Sequence, residues 1–335
     1  MPAEWERHRA TWLAWPSDAD LWLEDLAPAR REFVALCRGI THGAAESLEV
    51  LVLDRAGERE AAAALAGLDV RFHVVRFGDV WLRDTAPTFV RGAHGELVAV
   101  RFRFNGWGGK YDLEGDQEVG GEIATLAGAR VRSVDLVLEG GAVEVDGVGT
   151  CITTRQCALS PERNPGLGEE EVGRRIADAL GAEHVVWLDR GLANDHTDGH
   201  VDTLARFVAP GVVACMEARG ASDPNREVLA EIRATLARAT DAGGKRLELV
   251  TVPSPGAIAG GDGTPMPASY LNFYVSNTSV LVPTYGCAYD DEAVAVLARC
   301  FPGRSVLGSP ARATLSGGGA FHCITQQEPL PSTSE

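Results

Sequence analysis

No run of apolar residues in this 335-residue chain is long enough to cross a bilayer. A secretory signal needs an apolar stretch near the start, and Met1-Pro2-Ala3-Glu4-Trp5-Glu6-Arg7-His8 is polar and charged instead. A cytoplasmic protein is therefore expected. CxxC pairs are missing too. Seven cysteines stand at positions 37, 151, 157, 215, 287, 300 and 323, an odd count that argues against a disulfide framework and against a zinc knuckle. Positive charge is scarce: 31 Lys and Arg face 47 Asp and Glu, for a formal net charge of -16. That balance disfavours nucleic acid and anionic membrane as partners and suits a small cationic ligand. Linkers, low-complexity tracts and charge blocks are also lacking. The expected organisation is one domain over 1–328 with a disordered tail over 329–335, where prolines and a Ser/Thr cluster accumulate.

What remains is a soluble globular composition, with 45% hydrophobic residues and enough length for a substantial core. Within it a hairpin, a helix and a strand recur in that order. One copy has a hairpin over 142–154, a helix over 168–180 and a strand over 184–188. The next has a hairpin over 201–216, a helix over 225–239 and a strand over 247–252, and another follows at 269–284, 290–300 and 305–307. An earlier copy takes strands near 88 and 97–104, a helix over 117–127 and a strand over 131–138. A fifth joins residues 11–15 to the strand after Cys323, with a helix over 27–45 and a strand over 48–53. A period of about sixty residues reads as a ring of supersecondary units, each burying its apolar face on its neighbours. The competing reading is an ordinary α/β sheet of alternating strands and helices.

Residues able to do chemistry cluster at the ends of these strands. Gly317-Gly318-Gly319 precedes Cys323, and glycines that permit close backbone approach suit either a thiol presented to a ligand or a plain turn before a buried, inert one. In Asp198-Gly199-His200-Val201-Asp202, alternation by two would put Asp198, His200 and Asp202 on one face of a strand. Such a face is a general acid/base with its supporting carboxylates, a metal site or a solvated surface. A metal site would need further His or Cys ligands at recognisable spacing, and the expectation is no metal. Asp79-Val80-Trp81-Leu82-Arg83-Asp84 follows the strand pattern 70–77 and forms either a binding wall or a loop pinned by an Arg83–carboxylate pair. Glu139-Gly140-Gly141 places a carboxylate beside two glycines. Trp107, set among glycines, is a loop anchor or a lid. Trp12, Trp15 and Trp22 are assigned to the core, as are the other cysteines.

One thiol, one histidine and several carboxylates suit attack on a planar cationic carbon. Paired carboxylates hold a guanidinium bidentately, a thiolate is nucleophilic enough to attack it, and a protonated histidine lets ammonia leave.

The ordered motifs Thr11-Trp12-Leu13-Ala14-Trp15-Pro16, Trp81-Leu82-Arg83-Asp84, Phe104-Asn105-Gly106-Trp107-Gly108-Gly109, Glu139-Gly140-Gly141, Gly199-His200-Val201-Asp202, Tyr270-Leu271-Asn272-Phe273-Tyr274 and 317–327 span nearly the whole chain. With them the chain resembles the agmatine deiminases and bacterial-type peptidylarginine deiminases of the guanidino-group-modifying (pentein) superfamily. The resemblance implies a single-domain, five-fold pseudosymmetric α/β propeller and a hydrolase without cofactor, acting on a small guanidine. Agmatine is the leading substrate; peptidyl-arginine, another guanidino compound and amidine transfer are the alternatives. It makes Cys323 the nucleophile, His200 the acid/base, Asp84 and Asp202 the guanidinium clamp, Glu139 the support of the histidine and Trp107 a pocket wall. Asp198 is a further substrate-binding candidate, and a homo-oligomer is left open. The chain departs from the agmatine-type pattern in three places. Ala320-Phe321 replaces Asn-Ile before His-Cys, His196 replaces an acidic residue, and Lys110-Tyr111-Asp112 follows Gly109 without a longer aromatic insertion.

Overall fold

The computed structural model describes residues 1–43 and 46–331. Among them, five sheets share one hydrogen-bonding plan: a central strand pairs antiparallel on one side and parallel on the other, with a helix bridging the parallel pair. Three of the units are Thr88–Arg91 with Leu97–Arg103 and Arg130–Val137, Glu144–Val145 with Thr150–Thr154 and His184–Leu188, and Ala205–Ala209 with Val212–Glu217 and Glu248–Pro253. A fourth joins Tyr274–Val275 to Ser279–Thr284 and Ser305–Pro310. The fifth joins the chain ends: His8–Ala14 pairs antiparallel with Gln326–Pro329 and parallel with Ser47–Val52, which carries one further parallel strand, Val70–Val74. The recurrence read from the sequence is thus present as strand pairing, and the class is α/β as expected.

Local chemistry explains the elements. Glu169–Leu180 opens with Glu169, Glu170 and Glu171, whose charges complement the helix dipole, and it stops at Gly181 in the left-handed conformation (φ 70°). Its Val172, Ile176, Ala179 and Leu180 recur at helical spacing and are buried. Asp54 caps Arg55–Ala64 by accepting from the backbone N–H groups of Ala56 and Gly57, each at 2.8 Å. The central strands have both faces covered, so Thr150–Thr154 is buried throughout.

Two expectations need correction. The helix expected over 27–45 is Leu26–Ile40, because Thr41 already satisfies the Cys37 carbonyl with its own N–H and hydroxyl; residues 44 and 45 lie outside the described residues. Of the stretch 329–335 expected as a tail, the first residues are ordered. Pro329 belongs to a strand, the Leu330 N–H donates to the Arg7 carbonyl at 2.9 Å, and the buried Glu328 pairs with Arg9 and accepts from Trp12 Nε1 at 2.9 Å. Positions 332–335 lie outside the described residues.

The fold matters for function because of where its loops go. Each of the five sheets ends in a parallel strand, and the segment after each of these strands carries a polar residue to a common buried centre. Asp84 follows Val70–Val74, Glu139 follows Arg130–Val137, and His200 and Asp202 follow His184–Leu188. Asn272 follows Glu248–Pro253, and Cys323 follows Ser305–Pro310.

Candidate active site

Cys323 is buried, and its Sγ lies 3.6 Å from Asp202 Oδ2 and 3.1 Å from Asn272 Nδ2. His200 sits between two carboxylates, Nδ1 at 3.7 Å from Asp84 Oδ1 and Nε2 at 3.7 Å from Glu139 Oε2. These are ion-pair rather than hydrogen-bond distances, and both ring nitrogens are buried without a hydrogen-bond partner. Space at this centre is made by missing side chains. A Cβ on Gly141 would stand 2.5 Å from His200 Nδ1, 3.1 Å from Asp84 Oδ1 and 3.2 Å from Asp202 Oδ2, and one on Gly319 would stand 2.9 Å from Cys323 Sγ. The glycines flagged beside Glu139 and Cys323 are therefore obligatory.

Asp202 divides its carboxylate. Oδ2 accepts from Asn272 Nδ2 at 3.1 Å and faces His322 Nδ1 at 2.7 Å, while Oδ1 is buried with no partner. His322 Nε2 in turn lies 2.8 Å from Glu4 Oε2, which also accepts from the fully buried Arg206 at 2.9 Å. Asp84 accepts from Trp107 Nε1 at 2.8 Å on Oδ2 and from the Gly141 N–H at 3.0 Å on Oδ1. Glu139 accepts from Arg163 Nε at 2.9 and 3.0 Å.

The electrostatics follow from this packing. Burial would discharge His200, but the Asp84 and Glu139 carboxylates and the neighbouring Cys157 overcome it and push its pKa well above the ordinary imidazole value, so His200 is charged at neutral pH. Burial, reinforced by Asp202 and Asp84, pushes the Cys323 thiol well up, so the empty site holds a thiol. Burial would raise Asp202 also, yet His322 keeps it below the usual carboxylate range. Asp84 goes the other way, raised by burial against the opposing pull of His200. Glu139, Cys157 and His200 offer ligand atoms all within 4.8 Å of one another. The Arg163 guanidinium already occupies Glu139, so these three are accounted for as the histidine and its surroundings.

A cavity of about 240 Å³ opens over Cys323, walled by Trp22, Asp79, Trp81, Trp107, Tyr111 and His196. Trp107 walls the cavity and, through Asp84, ties its loop down. Its ring meets Phe104 and Tyr111 edge-on. The Asp79 carboxylate accepts from Trp22 Nε1 at 3.0 Å and Trp81 Nε1 at 2.9 Å, and the two indoles stack at 6.0 Å. Trp22 is buried in the core as assigned, and Asp79 and Trp81 also turn one face of its indole to the cavity.

The strand expected to align Asp198, His200 and Asp202 is absent. Asp195 accepts from the N–H groups of Thr197 and Gly199, both at 2.9 Å, which coils the segment into a turn, and a 3-10 turn Val201–Thr203 follows. His200 and Asp202 still reach the centre. Asp198 turns away, at a left-handed φ of 64°, to pair with Arg163 NH1 at 2.8 Å and Lys110 Nζ at 2.6 Å. Arg83 fits the loop-pinning reading: it donates to Gln327 Oε1 at 2.7 Å and lies 3.7 Å from Glu4. Arg163 and Glu4 had no sequence signal as site residues, since each acts through a distant carboxylate or histidine.

A buried thiol, a charged histidine and paired carboxylates on five repeated sheet units define a site built for a planar cation. Residues 1–329 match the Porphyromonas-type peptidyl-arginine deiminase family, to which the chain belongs. The agmatine deiminase of Stutzerimonas stutzeri is 38% identical over 356 residues, spanning 99% of this chain and 95% of the relative. That of Pseudomonas aeruginosa strain LESB58 is 38% identical over 355 residues, spanning 99% and 95%. The structure of Enterococcus faecalis agmatine deiminase superposes with a TM-score of 0.92 at 32% identity, over 98% of this chain and 95% of that one.

Proposed function

We propose that this protein hydrolyses agmatine to N-carbamoylputrescine and ammonia. The observation that carries the reading is the buried Oδ1 of Asp202, a carboxylate oxygen without a partner on the same centre as Asp84 and beside Cys323. A guanidinium supplies the missing donors, and the relatives named agmatine deiminase, one solved while catalysing its reaction, supply the substrate.

In this mechanism the guanidinium docks between Asp84 and Asp202. Its charge offsets the two carboxylates that hold the Cys323 proton in place, so the thiol loses that proton to solvent. Sγ bonds to the guanidinium carbon, His200 gives its proton to one amino group, and the C–N bond breaks to release ammonia and leave a thiouronium adduct. His200, now neutral, takes a proton from water as the oxygen bonds to carbon. The C–S bond then breaks, the ureido product leaves, and its last proton passes to solvent. Glu139, fixed by Arg163, keeps His200 charged for the first half. The ammonium at the far end of agmatine meets Asp79 on the stacked Trp22 and Trp81 wall. A cytoplasmic location, where free guanidines are available, accords with this activity.

Steady-state ammonia release decides the substrate. With no amine acceptor present, agmatine is expected to give a higher kcat/KM than free arginine or any arginine-containing peptide. A peptide that outperforms every small guanidine would move the protein to the peptidyl-arginine reading, and release only with an added amine would make it an amidinotransferase.

The histidine has its own test. The pKa of His200 is raised, so its charge is present below the ordinary imidazole pKa of about 6.5 and is lost only on the alkaline side. In Cys323→Ser protein, the His200 ring resonances, assigned by their absence in a His200→Gln double variant, are expected not to titrate through neutral pH. Adding Asp84→Asn should bring the transition down. Ordinary titration near 6.5 would show that the carboxylates do not govern His200.

A further inference from the structure

Four of the five loops that reach the centre carry a residue already given a chemical role, and the fifth, after Glu248–Pro253, delivers Asn272. Its side-chain amide is buried, and every atom of it is engaged. Oδ1 accepts from the backbone N–H of His322 at 3.1 Å and of Cys323 at 3.3 Å. Those two donors fix the amide orientation, since the amino end would face them with no acceptor. Nδ2 is thereby turned to the opposite side, where it lies 3.1 Å from Cys323 Sγ and 3.1 Å from Asp202 Oδ2. Among the described residues no other side chain donates to this sulfur.

We propose that Asn272 is a further catalytic residue, which donates from Nδ2 to Cys323 Sγ as the thiolate forms and holds Asp202 Oδ2 so that Oδ1 stays free for the guanidinium. The need for such a donor follows from the rest of the site. Burial and two carboxylates oppose a negative sulfur, while the Asn272 hydrogen bond favours it. A neutral amide serves here where a cation would not, because a Lys or Arg would occupy the carboxylates that the substrate must find empty. The rigid grip of Oδ1 on the nucleophile's own backbone keeps the donor aligned without reorganisation during the reaction.

The inference rests on Cys323 being the nucleophile, and the first readout of its test needs no substrate. Iodoacetamide alkylation is followed at Cys323 by peptide mass spectrometry across pH, which separates it from the partly exposed Cys287 and Cys300. Asn272→Asp keeps Oδ1 and the shape but replaces the donor with a carboxylate. It is expected to move the alkylation midpoint to higher pH and to lower kcat on the best substrate by roughly 100-fold, the loss typical of removing one preorganised donor. Asn272→Ser, read in the same way, serves if the aspartate variant does not fold. An unchanged alkylation midpoint in a folded variant, or a kcat within threefold of the parent, would overturn the proposal. Failure of agmatine as a substrate would leave the alkylation profile untouched, so the two readings fail separately.

Discussion

Cys323→Ser protein is expected to fold as the parent does and to release ammonia from agmatine at no more than about one ten-thousandth of the parental rate. The magnitude is of the kind seen when a covalent nucleophile is removed and only binding and polarisation remain. A hydroxyl holds its proton far more tightly than a thiol. Burial and the Asp202 and Asp84 carboxylates outweigh the Asn272 hydrogen bond and hold the proton on Cys323 until the cation arrives. Folding should survive because the exchange removes a weakly bonded sulfur, while the Asn272 contacts to the loop run through backbone N–H groups. Quenching the parent during turnover should reveal an adduct on the Cys323 peptide alone, with Cys157, Cys215 and the other thiols unmodified. A serine variant that retains a few per cent of activity would remove Cys323 from the reaction.

Asp202→Asn and Asp84→Asn should each lower kcat/KM by roughly two orders of magnitude, on the scale of about 3 kcal/mol for unpairing a buried charge contact. The two should fail differently. The amide of Asp202→Asn brings a donor against Asn272 and His322, whose contacts with Oδ2 lie at 3.1 and 2.7 Å, and so disturbs the nucleophile as well as the clamp. Asp84→Asn removes one of the two carboxylates that keep His200 charged, so its loss should be heavier in kcat at alkaline pH. Asp195→Asn, whose carboxylate shapes the turn that follows it, should fall by far less. A near-normal Asp202→Asn enzyme would place the clamp elsewhere.

The scaffold was legible where burial imposes a period. The strand His184–Leu188 and the helix Asp290–Cys300 have the bounds that apolar spacing predicts, because covered strands and amphipathic helices leave a regular trace. The site was legible only through residue types and resemblance. Cys323, His200, Asp84, Asp202 and Glu139 come together across the whole chain, and no local period encodes that. Asp198 shows the risk of reading alternation alone, since the Asp195 carboxylate competes for the backbone and breaks the strand before it forms. Asn272 stood in a quoted motif without a role. Its function depends on which way an amide points, and this is set by two N–H groups fifty residues further along the chain. Trp22 belongs to the core as assigned, but its indole also has a polar edge, and Asp79 decides which way that edge faces.

The sheet that joins the chain ends also governs when the protein can begin to work. Arg9 and Glu328 stand 319 positions apart, yet they pair across the neighbouring strands His8–Ala14 and Gln326–Pro329. Glu4 meanwhile waits for His322 at the other end. As synthesis proceeds, the four loops bearing Asp84, Glu139, His200 and Asp202, and Asn272 can be assembled in turn, but the opening strand has no antiparallel partner and Cys323 is still to come. A contact of that span carries a loop-closure cost that no local contact offsets, and it cannot form before both strands have been made. The nascent chain is therefore inert until Gln326–Pro329 has left the ribosome, and one event, the docking of that strand on His8–Ala14, both closes this sheet and delivers the sulfur.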